Sequence, residues 1–62
     1  MATAEELITR AEFYVDWAAA LRLLHDDKTA NEKLRMAAGF YMDAGEAAEA
    51  AACKMLIVSE EK

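Results

Sequence analysis

The sequence predicts an all-α fold, a small three-helix bundle or hairpin that associates into a helical oligomer. Three observations carry that expectation. Two capping boxes, Thr3 with Glu6 and Thr29 with Glu32, each open a stretch with helical apolar spacing. The first stretch, Ala4 to His25, contains neither Gly nor Pro and is apolar on two of its sides. From Ala47 to Ala52 the chain is nearly all alanine, the residue of highest helix propensity. The expected helices are about 4–25, 30–43 and 46–59, in one domain spanning 1–62.

In the first helix the Thr3 hydroxyl is placed to accept from the Glu6 N–H, and the Glu6 side chain to reach back to the Thr3 N–H. Glu5 and Glu6 also suit the positive end of the helix dipole. At about 100° per residue, Leu7, Ala11, Tyr14, Ala18 and Leu21 share one stripe, widened by Ile8 and Val15. This is the expected core face. Phe13, Trp17, Ala20 and Leu24 form a second stripe roughly 150° round the helix. Glu5, Thr9, Glu12 and Asp16 make the polar strip between them. Arg22 falls in the core stripe and Leu23 in the polar strip, against the pattern. The second stripe has three readings: core covered by the chain's other helices, a subunit or partner interface, where aromatics are enriched, or an aromatic ligand platform. The last would want basic companions, and only Arg10 is near.

Sixty-two residues make a domain that is marginal alone, for so short a chain buries only about 60% of its unfolded surface. Disulfides, a metal or oligomerisation usually compensate. One Cys excludes an internal disulfide, and one His with no Cys cluster gives no zinc pattern. Association with itself or with another protein is therefore the expectation. The net charge of −5 disfavours nucleic acid, whose phosphates need Lys and Arg, and anionic membranes. With no signal-peptide pattern and no long apolar run, the chain reads as cytoplasmic, with Cys53 reduced.

His25-Asp26-Asp27-Lys28 reads as a loop, with His25 as a cation over the last carbonyls of the first helix. Asp26 and Asp27 lack the further oxygen ligands that a divalent cation needs. The second helix then starts near Ala30, with Leu34, Ala37, Ala38 and Tyr41 as its core face and Met36 and Phe40 on the other side. At Asp43-Ala44-Gly45-Glu46 the spacing supports a break, with Asp43 capping a third helix and Glu46 as its box partner. The alternative is one helix over 30–58, making two long helices in all. Leu34, Tyr41, Ala48 and Met55 keep a seven-residue spacing through Gly45, at a cost of about 1 kcal/mol for each interior glycine.

Residues 34–50 resemble a tetratricopeptide-like helical hairpin. That motif places large and small apolar residues on its first helix, a tyrosine before the turn, a glycine in it and Glu-Ala on the second helix. Leu34, Ala37, Ala38, Tyr41, Gly45, Glu49 and Ala50 stand in matching order and spacing. Ala37 replaces a usual leucine, Lys54 a usual aromatic, and there is one hairpin rather than an array. The resemblance implies protein or peptide binding and carries no functional residue across.

The alanines of the third helix allow close axial approach. Cys53 reads as a small semi-buried hydrophobe. Met55, Leu56, Ile57 and Val58 are apolar on all sides and imply a well-covered C-terminal helix, with a frayed Ser59–Lys62 end.

The sequence contains no nucleophile set, phosphate loop or metal cluster, so the expectation is a non-enzyme without cofactor. The leading function is a small acidic protein–protein interaction module, acting as adaptor, regulator or inhibitor and as a homo-oligomer. Its interface residues are Phe13, Trp17, Leu24, Met36 and Phe40, with Glu5, Glu12 and Asp16 to steer the encounter. A second expectation is a ligand-binding or nucleotide-sequestering oligomer using Arg10, Tyr14 and Arg22 beside Trp17 at a subunit interface. A third is a nucleic-acid-binding helical bundle, which requires Arg10, Arg22, Lys33 and Arg35 to cluster.

Overall fold

Three helices follow one another in the computed structural model, which describes residues 2–59: α1 (Ala4–Leu23), α2 (Asp27–Asp43) and α3 (Ala47–Met55). The first two helices open on side-chain caps. The Thr3 capping box is formed, with the Glu6 N–H donating to Thr3 Oγ1 at 3.2 Å and the Thr3 N–H to Glu6 Oε1 at 2.9 Å. The second helix starts earlier than the Thr29 box predicts. Asp26 is its N-cap, accepting from the Thr29 N–H at 3.2 Å, so Thr29 lies inside the first turn. Asp43 does not cap the third helix either. It ends α2, and Glu46 stands at the N-cap of α3 without a side-chain bond.

The two turns are built alike. After α1, the His25 N–H donates to Arg22 O and the Asp26 N–H to Leu21 O, both at 2.9 Å. After α2, the Gly45 N–H donates to Met42 O at 3.0 Å and the Glu46 N–H to Tyr41 O at 2.8 Å. This paired pattern is a Schellman turn, and it requires a left-handed residue. Gly45 takes it at φ 81° and His25 at φ 62°. His25 thus closes α1 through its own backbone conformation rather than as a cation over the carbonyls. The break at Gly45 rules out the single helix over 30–58.

Tight turns make the neighbours antiparallel: Tyr14 of α1 meets Phe40 of α2, and Trp17 meets Lys33. The core is made of small side chains. Ala11, Ala37, Ala38, Tyr41, Ala50 and Cys53 form one cluster from all three helices, and Ala18, Ala30 and Leu34 form a second between α1 and α2. Alanine contacts draw helix axes toward the short end of the 8–10 Å range. Leu34 and Tyr41 are the large apolar residues buried among the alanines, Ile8, Tyr14, Val15, Leu21 and Phe40 pack against the clusters, and Phe13, Trp17, Leu23, Leu24, Met36 and Met42 are exposed.

Beyond Met55 the chain leaves the helix. The expectation of a covered helix to 59 fails here: Met55 is 85% exposed, Leu56 and Val58 are exposed, and Ile57 alone of the run packs against the second cluster. The segment is held across α2 as a strap. Asn31, fully buried, donates from Nδ2 to Val58 O at 2.8 Å and accepts the Val58 N–H at 3.1 Å. Arg22 adds bonds to Leu56 O, to Asn31 Oδ1 at 3.3 Å and to Asp27 at 3.0 Å. That explains the cation in the core stripe of α1. Its guanidinium reaches the strap, and its partners satisfy it there.

Candidate functional site

The helical spacing of α1 places Phe13 and Trp17 one turn apart on the outer stripe, with Tyr14 between that stripe and the core. On α2, Lys33 and Phe40 are seven residues apart and so share a face. Antiparallel pairing brings the two sets together. Tyr14 stacks on Phe40 with ring centroids 5.6 Å apart and planes at 11°, and on Trp17 at 5.9 Å and 12°. Phe13 meets Tyr14 and Trp17 edge-on at 5.7 and 5.8 Å. The Lys33 ammonium lies 4.1 Å from the Trp17 ring centroid, a close cation–π contact. Four rings from two helices thus form one continuous ladder.

The outer part of the ladder is bare. Phe13 is 61% exposed, Trp17 41% and Met36 42%, while Tyr14 and Phe40 are half-buried. Leu24 continues the α1 stripe two turns on and is exposed as well. Phe13 and Trp17 together leave about 200 Å² of ring surface in water. Burying it would contribute about 5 kcal/mol gross. Association itself costs about 4–15 kcal/mol, so the two rings alone do not hold a complex, and the neighbouring apolar surface of Met36 and Leu24 is needed too.

Two shallow depressions flank the ladder. One is lined by Phe13, Asp16 and Trp17, the other by Met36, Gly39, Phe40 and Asp43. Gly39 lies inside α2, yet a Cβ added there would meet nothing within 4 Å. The fold does not require a glycine at this point, although glycine costs a helix about 1 kcal/mol relative to alanine.

The candidate ligand residues do not converge. Arg10 sits near the start of α1 beside Glu5, Glu6 and Thr9, Tyr14 is inside the ladder, and Arg22 bonds Asp27, Asn31 and Leu56. Arg10 and Arg22 are twelve residues apart on one helix, or about 18 Å. Lys33 and Arg35 are about 200° apart around α2, so the four candidate cations share no ridge. Asp26 and Asp27, as N-cap and as ion-pair partner of Arg22, are also committed within the fold. Cys53 is buried, and burial, helped by Glu49, pushes its thiol pKa up, away from nucleophilic use. Among the described residues no group of three or more potential ligands gathers for a metal, and no helix is long and apolar enough to cross a membrane.

Asn31 is the residue that sequence reasoning missed. It stands three residues before Leu34 and seven before Ala38, in phase with the α2 core face, and a polar residue at a core phase was the available signal. Compared with known proteins, the chain matches no family model, no curated protein and no solved structure.

Proposed function

We propose that this chain is a cytoplasmic protein–protein interaction module, an adaptor, regulator or inhibitor, that docks the aromatic face of α1 and α2 on a protein surface and performs no chemistry of its own. One observation carries the reading: six alanines, Asn31, Cys53, Leu34 and Tyr41 fill the interior, while Phe13, Trp17, Met36 and Leu24 are left in water. Isolated exposed apolar residues are ordinary, but a contiguous aromatic patch on so small a chain marks an interaction surface. The tetratricopeptide-like spacing of residues 34–50 supports the same class of function. In this reading Phe13 and Trp17 are the anchors, and the occupant of the face is a protein, whether a second copy or a different chain.

The test compares the wild-type chain with Phe13→Ala/Trp17→Ala in sedimentation at tens of micromolar and in capture from the native host. Neither side chain belongs to the buried core clusters, so the helical signal in circular dichroism should be preserved. Loss of the associated mass or of the captured band is expected, since truncating an anchor typically costs about 2 kcal/mol or more, a roughly 30-fold loss of affinity. An unchanged mass together with an unchanged capture pattern would remove the basis for the reading.

A further inference from the structure

We infer that Arg22 and Asn31 frame a recognition slot for a non-helical peptide segment with a branched aliphatic side chain, and that the chain's own Leu56–Val58 fills it as a tethered occupant. The slot uses none of the ladder residues and does not rest on the docking reading above. The bonds across the slot go to the backbone of the segment. Arg22 donates to Leu56 O, and Asn31 donates to Val58 O and accepts the Val58 N–H. One carboxamide taking both groups of a single residue reproduces the pairing between neighbouring strands. The slot therefore reads peptide groups, which any chain can supply. The side chain it covers is that of Ile57, which lies against Ala18, Ala30 and Leu34, while Met55, Leu56 and Val58 are exposed. Arg22, Asn31 and the three floor residues all belong to α1 and α2, and Asp27 holds the Arg22 guanidinium at 3.0 Å, so the slot is built without the segment that fills it.

Magnitudes decide what can displace the strap. Two buried hydrogen bonds and a half-buried isoleucine favour the closed strap about a hundredfold. A short tether supplies an effective concentration of roughly 10 mM. The same contacts made by an untethered segment then correspond to a Kd on the order of 0.1 mM, and the closed strap raises the apparent value to about 10 mM. A second copy's strap offers the same contacts without the tether, so it loses to the resident one below about 10 mM protein. The occupant in trans is therefore a segment of another protein, one that fills the slot in the same way and adds contacts beyond it.

Asn31 is the single Asn of the chain and there is no Gln, so the NMR spectrum of nitrogen-labelled protein carries one side-chain carboxamide, and it sits in the slot. Full-length protein is titrated with a capped, unlabelled hexapeptide copying residues 54–59, and with the same peptide carrying Asp in place of Ile. Ile57→Ser/Val58→Pro lifts the strap by removing its covered side chain and its N–H donor, and it leaves Arg22 and Asn31 in place. In that variant the copy peptide should shift the Asn31 carboxamide with a Kd of about 0.1 mM, about a hundredfold tighter than in the wild-type chain. The Asp peptide should bind at least about tenfold more weakly. Asn31→Ala in the same background, followed at the Leu34 amide, should weaken the copy peptide about 30-fold. If the strap-released variant loses its helical circular dichroism, Ile57→Ala takes its place and should bind about fivefold tighter than wild type. Phe13→Ala/Trp17→Ala should leave the peptide affinity within about twofold, which separates the slot from the aromatic face. The slot is overturned by an unmoved carboxamide at about 5 mM peptide in a helical released variant, by equal affinity with the strap intact and weakened, or by equal affinity for the two peptides.

Discussion

Replacing Asn31 with alanine should unfasten the C-terminal strap. Two well-formed bonds join this side chain to Val58, at 2.8 and 3.1 Å, and the longer contact from Arg22 at 3.3 Å adds little. A buried hydrogen bond contributes about 1 kcal/mol net, so the pair accounts for about 2 kcal/mol. Once the strap lifts, Val58 recovers its hydrogen bonds from water, but half-buried Ile57 leaves the cluster of Ala18, Ala30 and Leu34, a loss of about 1 kcal/mol. The total is about 2–3 kcal/mol against a stability near 5 kcal/mol for so small a domain. The expected fall in Tm is about 10–20 °C, followed by circular dichroism at the helical minimum. Hydrogen exchange gives the sharper readout: the Val58 amide should lose its protection while the amides of α1 stay slow at low temperature. Ile57→Ala should then cost little in the Asn31→Ala background, since the two act through one strap. The reasoning is refuted if Asn31→Ala loses less than about 0.5 kcal/mol and the Val58 amide exchanges as before.

The two turns give opposite results for opposite substitutions. Gly45→Ala forces a Cβ into φ 81° and should destabilise by about 1 kcal/mol, whereas His25→Gly relieves φ 62° and should stabilise by a similar amount; urea midpoints decide, and same-sign shifts would contradict the shared geometry. Gly39→Ala should raise stability by about 1 kcal/mol, because the added methyl meets nothing; a loss of stability would show that the glycine serves the fold. The Thr3 backbone N–H first, and its hydroxyl second, hold the Glu6 carboxyl below the usual carboxylate range. A depressed folded pKa means that this contribution to the first turn is present above the ordinary carboxyl pKa and is lost as pH falls through the lowered value. Thr3→Ala should move the Glu6 titration part of the way back up by NMR, and an unmoved titration would leave the hydroxyl without that role.

The sequence by itself determined what is local. The Thr3 box, the two faces of α1 and the stop at Gly45 each depend on residues within about one helical turn, so three helices, favoured over two, and a second apolar stripe were legible from spacing, while the exposure of that stripe was decided in the fold. The Thr29 box placed the start of α2 too late, because the turn closed by His25 delivers Asp26 in reach of the Thr29 N–H. Tertiary structure alone decided the ladder and the strap. Tyr14 and Phe40 are far apart in sequence, as are Asn31 and Val58, and neither member of a pair announces the other. Nothing in Met55–Val58 tells the helix to stop at Met55. It stops as the chain turns onto α2, where Asn31 and Arg22 take the peptide groups of Val58 and Leu56 and Ile57 finds apolar cover. Backbone groups freed from a helix must be satisfied elsewhere, and the buried side chain that satisfies them here is identified only when the folded chain brings it alongside.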